Sequence, residues 1–255
     1  VHAAALKQVP AAEYNPMEFV KTNILGTENL INACLDTKVK KVIAISTDKA
    51  SCPVNLYGAS KLCSEKLFIA ANNIKGKRDL NFSVVRYGNV MGSRGSVIPY
   101  FLKSAKNGVL PITDPEMTRF NILIKDSVKM VYWAIANTFG GEILVPKLPA
   151  YKIKDLANAI GPNCKINTIG IRAGEKIHEE MISQTDSYNT YEIGNYFLIV
   201  PSTWEQSKVE ELYKQKLKRM KKGNSYNSGE STNLLTIDEL RKLIIENLDS
   251  DFTPV

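Results

Sequence analysis

The chain contains little of what metal sites, disulfide frameworks and membrane spans require. Only two histidines occur among its 255 residues, which argues against a histidine-rich zinc site, and we expect no bound metal. The four cysteines have neither metal-ligand nor redox-pair spacing, so we expect reduced thiols and a cytoplasmic location. No apolar run approaches the roughly 18 residues that a membrane helix needs, so we expect no membrane span.

Acidic residues are outnumbered, and the formal net charge of +7 raises the question of a nucleic-acid partner. Much of the excess lies in residues 208–222, KVEELYKQKLKRMKK, where the basic residues face only Glu210 and Glu211. Such a run is typical of a solvated helix face. No aromatic-interleaved basic pattern accompanies it, so we expect no nucleic-acid partner.

Short apolar runs alternate with longer segments of helical periodicity over the first 146 residues. Buried strands are predicted for residues 40–46 (KKVIAIS), 82–90 (FSVVRYGNV) and 140–147 (GGEILVPK). Apolar residues at helical spacing predict helices between and before them, over residues 15–36, 55–74 and 124–139. This alternation predicts an α/β fold, a doubly wound parallel sheet with helices on both faces.

After about residue 146 the pattern changes to shorter units. A helix ending at Gly161, a strand over residues 164–172 and a short helix over residues 174–183 are predicted. Thr236, followed three residues later by Glu239, forms a capping box that predicts a C-terminal helix.

Polar residues follow each predicted strand of the sheet. Ligands bind at the carboxyl ends of the strands in doubly wound sheets, which singles out residues 2–7, 46–49 and 87–94. Tyr57 and Lys61 lie four residues apart on the next predicted helix, so they share one face. An ammonium beside a phenol favours the phenolate and lowers a pKa that is about 10 when unperturbed. Such a phenol can exchange a proton with a sugar hydroxyl.

These motifs resemble those of the extended short-chain dehydrogenase/reductase superfamily of nucleotide-sugar enzymes. The resemblance rests on STDKA followed by LYGASK, supported by HAAALKQVP, NILGTENLINA, VVRYGNVMGSRGSVIP, LPITDPEMTRF, GGEILVPKLP and GIRAGEKIHEEM. Within the superfamily, the chain is similar to the configuration-inverting UDP-N-acetylglucosamine 4,6-dehydratases of pseudaminic acid synthesis. Tyr57 favours this family, because related long-form enzymes carry methionine there. The resemblance implies an NAD(P)-binding Rossmann-like fold with a smaller C-terminal substrate-binding lobe.

The resemblance also implies a catalytic role for each residue of these two motifs. Tyr57 would handle the proton of the sugar's 4-hydroxyl, and Thr47 would hydrogen-bond that hydroxyl. Lys49 would remove the C5 proton, and Asp48 would protonate the departing 6-hydroxyl. Protonation of C5 from the opposite face would invert that centre. Lys61 would orient the nicotinamide ribose and lower the pKa of Tyr57, with NADP expected in preference to NAD.

Binding residues follow from the same resemblance. Ala4 and Asn89 would join Tyr57 and Lys61 at the cofactor. A UDP-sugar would contact Lys7, Thr47, Lys49, Asn89, Arg94, Val97, Thr113, Arg172 and Glu175. Among these, Arg172 would pair with the pyrophosphate, and Glu175 would accept from ribose hydroxyls. When full length, the protein is expected to be a homo-oligomer, a dimer or a hexamer.

Three regions are expected in the chain. Residues 1–147 would form the C-terminal part of the dinucleotide-binding domain, with a substrate-lobe insertion at about 90–125. Residues 148–204 would form the substrate-binding lobe. Residues 205–255 would contain a Lys-rich helix, a linker and a closing helix.

The sequence departs from the family's pattern at its beginning. Family members open with a strand and a glycine-rich turn that receives the cofactor pyrophosphate. The glycines of NVMGSRGSV do not form G-x-G-x-x-G, and no P-loop lysine accompanies them. VHAAALKQVP is instead typical of the end of a fourth strand. We therefore expect an N-terminally truncated chain that lacks the first strands, binds NADP poorly, exposes a sheet edge and has weak or no activity alone.

Two other functions stay open. One is a different nucleotide-sugar enzyme, such as a 4-epimerase or a retaining 4,6-dehydratase, and the other is a non-catalytic nucleotide-sensing module. Epimerisation keeps the 6-hydroxyl, so product analysis separates the enzymes. The joint presence of an acid, a base and a Tyr–Lys pair favours an enzyme, since a sensing module needs none of them.

Overall fold

The computed structural model describes residues 1–255, and its contacts divide the chain into two compact units. Unit 1 comprises Val1–Tyr87, Val128–Lys147 and Glu180–Tyr226. Unit 2 comprises Gly88–Ser127, Leu148–Glu179 and Asn227–Val255. The predicted insertion at about 90–125 falls in unit 2, whereas the predicted lobe of residues 148–204 is shared between the units.

Helices and strands are numbered here in chain order. The strands are β1 (Lys41–Thr47), β2 (Asn81–Tyr87), β3 (Asn89–Val90), β4 (Val109–Ile112), β5 (Thr118–Ile122), β6 (Ile143–Pro146), β7 (Ala150–Lys152), β8 (Lys165–Thr168), β9 (Glu180–Ile182), β10 (Thr190–Ile193), β11 (Tyr196–Ile199), β12 (Lys218–Arg219) and β13 (Tyr226–Asn227). The helices are α1 (Val9–Tyr14), α2 (Pro16–Phe19), α3 (Gly26–Leu35), α4 (Leu56–Ile74), α5 (Val97–Ala105), α6 (Ile124–Asn137), α7 (Ile153–Ile160), α8 (Gln206–Tyr213) and α9 (Ile237–Asn247). No helix is long and apolar enough to cross a membrane.

Unit 1 is built on a six-stranded sheet in the order β1-β2-β6-β11-β10-β12. β1, β2 and β6 run parallel, which confirms the predicted parallel sheet. The sheet then continues with antiparallel β11, β10 and β12, which the sequence did not predict. His2 forms a parallel bridge with Ala44 of β1, as expected for the end of a neighbouring strand. The core beneath the sheet includes Ile43, Val85 and Leu144.

Unit 2 contains two small sheets, β3-β5-β7 and β4-β8. α5, α7 and α9 supply much of its core, where the buried apolar side chains include Phe101, Leu110, Leu156, Ile160, Leu240 and Ile244. α7 is followed by Gly161 at its C-cap, and α9 begins with the predicted capping box, so both sequence predictions are confirmed.

The predicted helix over residues 15–36 is divided into segments. α2 and α3 are joined by a π-helical stretch, Val20–Leu25, and Asn15 makes no side-chain capping bond. A π-helical stretch of this kind interrupts an α-helix without ending it. The apolar periodicity therefore predicted the extent of the helical region, but not the change in winding.

One prediction of helical structure is wrong, and a second is only partly confirmed. Residues 174–183 form turns and β9 rather than a helix, because the carbonyls of Ile177 and Glu179 accept hydrogen bonds from Thr118 and Ser228. Pairing with distant segments has overridden the local preference. In the Lys-rich run, α8 ends at Tyr213, and β12 then pairs with β10, so only the first part is a helix.

Candidate active site

A short turn at the end of β1 carries the first three candidate catalytic residues. Thr47 is the last residue of β1, and Asp48–Ala50 form one turn of 3₁₀-helix. The Thr47 hydroxyl donates to Asp48 Oδ1 at 2.9 Å, and Lys49 Nζ lies 3.2 Å from the same oxygen. The Asp48 side chain is only 1% exposed, whereas that of Lys49 is partly exposed. One buried carboxylate oxygen therefore joins a hydroxyl and an ammonium.

The start of α4 packs directly against this turn. Asn55 caps the helix, because its side chain accepts a hydrogen bond from the Gly58 N–H at 2.7 Å. A Cβ at Gly58 would lie 2.2 Å from the carbonyl oxygen of Lys49. Such a distance is far inside van der Waals contact, so the missing side chain permits the close approach. Gly58 thus sets the spacing between α4 and the turn of candidate catalytic residues.

Tyr57 is buried at the beginning of α4 and faces the turn. Burial raises the pKa of its phenol above the ordinary value, while the charge of Lys49 and a hydrogen bond with the Thr47 side chain oppose that rise. The structure therefore brings Thr47, Asp48, Lys49 and Tyr57 together, as the motifs predicted. The pKa of Tyr57 is therefore raised, contrary to the expectation that Lys61 would lower it, and the positive charge that opposes the rise is that of Lys49.

Lys61 lies one turn beyond Tyr57 on the same helix. Its ammonium is buried and donates to the carbonyl of Ile45 in β1 at 2.8 Å. Burial lowers the pKa of Lys61, and the charge of Glu65 opposes this. An ammonium carries three donors, so two remain beyond the bond to Ile45 for the hydroxyls of a ribose. This arrangement fits the nicotinamide half of a dinucleotide cofactor.

The loop before α1 contains the two other predicted residues of unit 1. Ala4 and Lys7 are both exposed, and the backbone of Leu6 between them is held by the side chain of Asn23. The Leu6 N–H donates to Asn23 Oδ1, and Asn23 Nδ2 donates to the Leu6 carbonyl, both at 2.9 Å. These two hydrogen bonds fix the backbone of the loop that connects His2, which bridges to β1, with α1.

The remaining predicted residues belong to unit 2 and lie mostly on its loops. Arg172 and Glu175 share one loop, where their side chains approach to 3.9 Å and Glu175 also accepts from the Arg172 N–H at 3.4 Å. Asn89 opens β3, and its buried Oδ1 has no hydrogen-bond partner. Arg94 lies on the loop before α5, and Val97 is the first residue of α5. Thr113 directly follows β4.

His178 is placed outside any helix, contrary to the predicted helical position. Its Nδ1 lies 2.8 Å from the Thr118 hydroxyl, and its ring lies against Gly229. It acts as a packing and hydrogen-bonding residue.

Sequence reasoning missed Gly58 and Arg86. Gly58 is the second residue of YGASK, and nothing in the sequence indicates that it lies so close to Lys49. Arg86 did have one, because a charged residue stands in the middle of the apolar run FSVVRYG. A fully buried arginine requires a buried partner, which here is Glu65.

Comparison with known proteins gives a consistent result. A family profile described as "Polysaccharide biosynthesis protein" matches residues 1–201. The UDP-N-acetylglucosamine 4,6-dehydratase (inverting) of Campylobacter jejuni is 52% identical over 250 residues, which cover 96% of this chain and 75% of the relative. The UDP-glucose 4-epimerase of Rickettsia canadensis is 41% identical over 249 residues, covering 96% and 72%.

Solved structures show the same fold. Pen from Bacillus thuringiensis superimposes with a TM-score of 0.84 at 37% identity, covering 96% of this chain and 74% of that one. DesIV from Streptomyces venezuelae, a dTDP-glucose 4,6-dehydratase with NAD and TYD bound, gives a TM-score of 0.61 at 22% identity, covering 69% and 62%. The fold is therefore the NAD(P)-binding Rossmann-like α/β fold of the extended short-chain dehydrogenase/reductases. The chain belongs to the polysaccharide biosynthesis protein family, which is the family of the inverting UDP-N-acetylglucosamine 4,6-dehydratases.

Proposed function

We propose that this chain carries the catalytic residues of an NADP-dependent UDP-N-acetylglucosamine 4,6-dehydratase, a hydro-lyase that inverts C5. The product is a UDP-2-acetamido-2,6-dideoxy-4-keto-hexose for surface-glycan synthesis. The observation that carries the proposal is the junction at Asp48 Oδ1, which contacts the Thr47 hydroxyl and the Lys49 ammonium beside Tyr57. An oxidoreductase needs only the Tyr–Lys pair, whereas elimination of water needs an additional acid and base.

Tyr57 and Thr47 act at the sugar's 4-hydroxyl. The two side chains lie beside each other, so a 4-hydroxyl bound there can hydrogen-bond both, and Tyr57 takes its proton in the phenolate form, which the charge of Lys49 favours against the effect of burial. A nicotinamide cofactor, held there by Lys61, would supply the hydride chemistry between C4 and C6. The resulting 4-keto group acidifies the proton on C5.

Asp48 and Lys49 carry out the elimination. Lys49 Nζ takes the C5 proton, the C6–O bond breaks, and Asp48 gives its proton to the departing hydroxyl, which leaves as water. These roles need a neutral amine and a protonated carboxyl, which are formed when one proton crosses the 3.2 Å between Lys49 Nζ and Asp48 Oδ1. A proton from solvent added at the opposite face of C5 inverts that centre, and the proton held by Lys49 returns to Asp48.

Further residues of the chain are proposed to bind the cofactor and the substrate. Lys61 would hydrogen-bond the nicotinamide ribose, with Ala4 and Asn89 as further cofactor contacts, and NADP rather than NAD is proposed. Arg172 would pair with the pyrophosphate of the UDP-sugar and Glu175 would accept from its ribose. The other proposed sugar-nucleotide contacts are Lys7, Asn89, Arg94, Val97 and Thr113. A homo-oligomer and a cytoplasmic location remain predictions.

Product analysis tests the proposal. The chain is produced together with the strand and glycine-rich turn with which family members open, it is incubated with NADP and UDP-N-acetylglucosamine, and the product is followed by proton NMR. We expect a new 6-methyl signal and ring couplings that report the inverted C5. A product that keeps its 6-hydroxyl would show a 4-epimerase, the activity named for the Rickettsia relative, and a 6-methyl product with unchanged C5 would show a retaining dehydratase.

A further inference from the structure

Arg86 lies near the end of β2, next to the strand that carries the catalytic turn. Its side chain is only 2% exposed. The guanidinium forms a bidentate pair with Glu65, in which Nη2 donates to Oε2 at 2.6 Å and Nε donates to Oε1 at 3.0 Å. Nη1 donates to the carbonyl of Met181 at 2.8 Å and also approaches Asp186 Oδ2 at 3.4 Å. One buried side chain therefore joins three separate segments of unit 1.

The first of these segments is α4, the helix of the proposed active site. Glu65 lies on it, one turn beyond Lys61 and two turns beyond Tyr57. The Glu65 side chain is as buried as that of Arg86, and its charge acts on Lys61. Because both oxygens of Glu65 are bound by one planar guanidinium, the pair fixes the direction of the helix as well as its distance from β2.

The second segment is β9, which packs against the turn formed by Asp48–Ala50. Met181 in β9 accepts the hydrogen bond from Arg86, and its neighbour Glu180 accepts one from the Ser51 hydroxyl at 3.4 Å. Arg86 thus reaches the back of the catalytic turn through β9. Through Glu65 it reaches the helix that carries Tyr57 and Lys61.

A buried ion pair of this kind is a poor source of net stability. Removing two charges from water costs several kcal/mol per ion, and apolar residues of similar volume often stabilise a fold equally well. A bidentate pair with a further backbone acceptor supplies something that an apolar contact lacks, namely a fixed orientation. The position of the pair between the two parts of the proposed active site indicates what that orientation serves.

We propose that Arg86 is a positioning residue of the proposed dehydratase, which holds α4 and the Asp48–Lys49 turn in register through Glu65 and β9. Arg86 does not touch the reacting atoms in this account. The expected fall in kcat rests on the proposed function. The expected ordering of α4 and the turn rests on the hydrogen bonds of Arg86 alone.

The kinetic test compares three variants. Arg86→Lys keeps the charge but loses the bidentate geometry, and Glu65→Leu/Arg86→Met replaces the pair by apolar side chains of similar volume. Ser83→Ala is the matched control, because Ser83 is buried on the same strand and hydrogen-bonds Glu142 instead. We expect kcat to fall at least tenfold in Arg86→Lys and in the double variant, with KM changed less than twofold, and to stay within twofold in Ser83→Ala.

Thermal unfolding separates positioning from stability. We expect the double variant to unfold near the wild-type temperature while its kcat stays low. A double variant with both wild-type stability and wild-type kcat would overturn the proposal, because the pair would then serve the fold alone.

Hydrogen exchange gives a readout that does not depend on activity. We expect faster amide exchange across residues 48–61 in Arg86→Lys than in Ser83→Ala at equal global stability. Unchanged exchange in that segment would refute the positioning role even if the protein proved to catalyse a different reaction. Faster exchange without any dehydration of UDP-N-acetylglucosamine would refute the proposed function and leave the positioning role supported.

Discussion

The two sets of predicted site residues are held in opposite ways. In unit 1, the Asp48 side chain is 1% exposed and bound to Thr47 and Lys49, on a turn against which Gly58 packs closely. In unit 2, the Arg172 side chain is 55% exposed, and the loop that carries it has no regular secondary structure. The turn that carries Asp48 is fixed before any ligand arrives, whereas Arg172 is solvated.

This difference matches the two kinds of chemistry proposed. Proton transfer depends on the exact placement of the groups and on pKa values that burial can shift. Recognition of a diphosphate depends on charge, which a solvated guanidinium on a loop already provides. Substitutions in unit 1 should therefore change kcat, and substitutions in unit 2 should change KM.

The largest effect is expected for Lys49→Ala. Loss of the base that takes the C5 proton should lower kcat by about 10²–10⁴-fold, the usual contribution of general acid–base catalysis. Dehydration is measured by the appearance of the 6-methyl signal. Lys40→Ala is the control, because Lys40 forms only an exposed ion pair with Asp79 and should leave kcat unchanged. A variant at Lys49 that dehydrates at the normal rate would exclude the proposed role.

Gly58→Ala tests the rigidity of the unit 1 site. The added Cβ would meet the Lys49 carbonyl at 2.2 Å, so the helix or the turn must move. We expect overpacking to cost about 1–3 kcal/mol of unfolding free energy. Misplacement of the catalytic groups should also lower kcat on the order of tenfold to a hundredfold.

Gly26→Ala is the matched control for this substitution. Gly26 also lies in a helix, but its nearest neighbour would be at an ordinary 3.5 Å. Alanine should therefore be neutral or stabilising by about 0.5–1 kcal/mol, as its helix propensity predicts. Equal kcat values for the two alanine variants would show that the close approach at Gly58 does not matter to the reaction.

Arg172→Ala tests whether substitutions in unit 2 change KM rather than kcat. Hydrogen bonds to charged groups contribute about 1.5–3 kcal/mol, and the exposure of Arg172 favours the lower end. We expect KM for the UDP-sugar to rise about tenfold with little change in kcat, measured by initial rates. The exposed Lys106 provides a charge-matched control in the same unit. An unchanged KM would remove Arg172 from the substrate site.

The smallest expected effect is that of Tyr57→Phe on the free energy of unfolding. This effect should be measurable only at alkaline pH. Burial raises the folded-state pKa of Tyr57 above about 10, its unfolded value, so the unfolded state ionises first as pH rises. The wild type therefore loses stability as pH rises above about 10, and the phenylalanine variant should lose less. The measurement is Tm between pH 8 and pH 11.

Tyr14→Phe is the control substitution of the same kind, at a residue that is 86% exposed. Burial also raises the pKa of Tyr87 and Tyr213, so only part of the alkaline loss should disappear in Tyr57→Phe. Identical pH curves for the wild type and Tyr57→Phe would contradict the assigned direction.

The unit 1 site was predictable because its information is local. An apolar strand, a polar turn and a capped helix follow one another within residues 41–74, and residues four apart on a helix must share a face. The same local reasoning succeeded for α7 and α9, where Gly161 and the Thr236–Glu239 capping box mark the ends.

The failures occurred where distant segments decide the structure. Residues 174–183 have a helical pattern, but hydrogen bonds with Thr118 and Ser228 hold part of them extended. The pairing of Arg86 with Glu65 spans 21 residues and depends on how α4 crosses the sheet. The charge acting on Tyr57 comes from Lys49 rather than Lys61 because the 3₁₀ turn directs Lys49 back toward the helix. No spacing rule contains that geometry.

The central claim is that Lys49 exchanges the C5 proton of the sugar within a preformed acid–base pair. The most direct measurement is NMR of the sugar after reaction in deuterium oxide, comparing the wild type with Lys49→Ala. The account predicts one deuteron at an inverted C5 in the wild-type product and no C5 deuteration by the variant. Deuterium appearing at C5 at the wild-type rate in Lys49→Ala would contradict it.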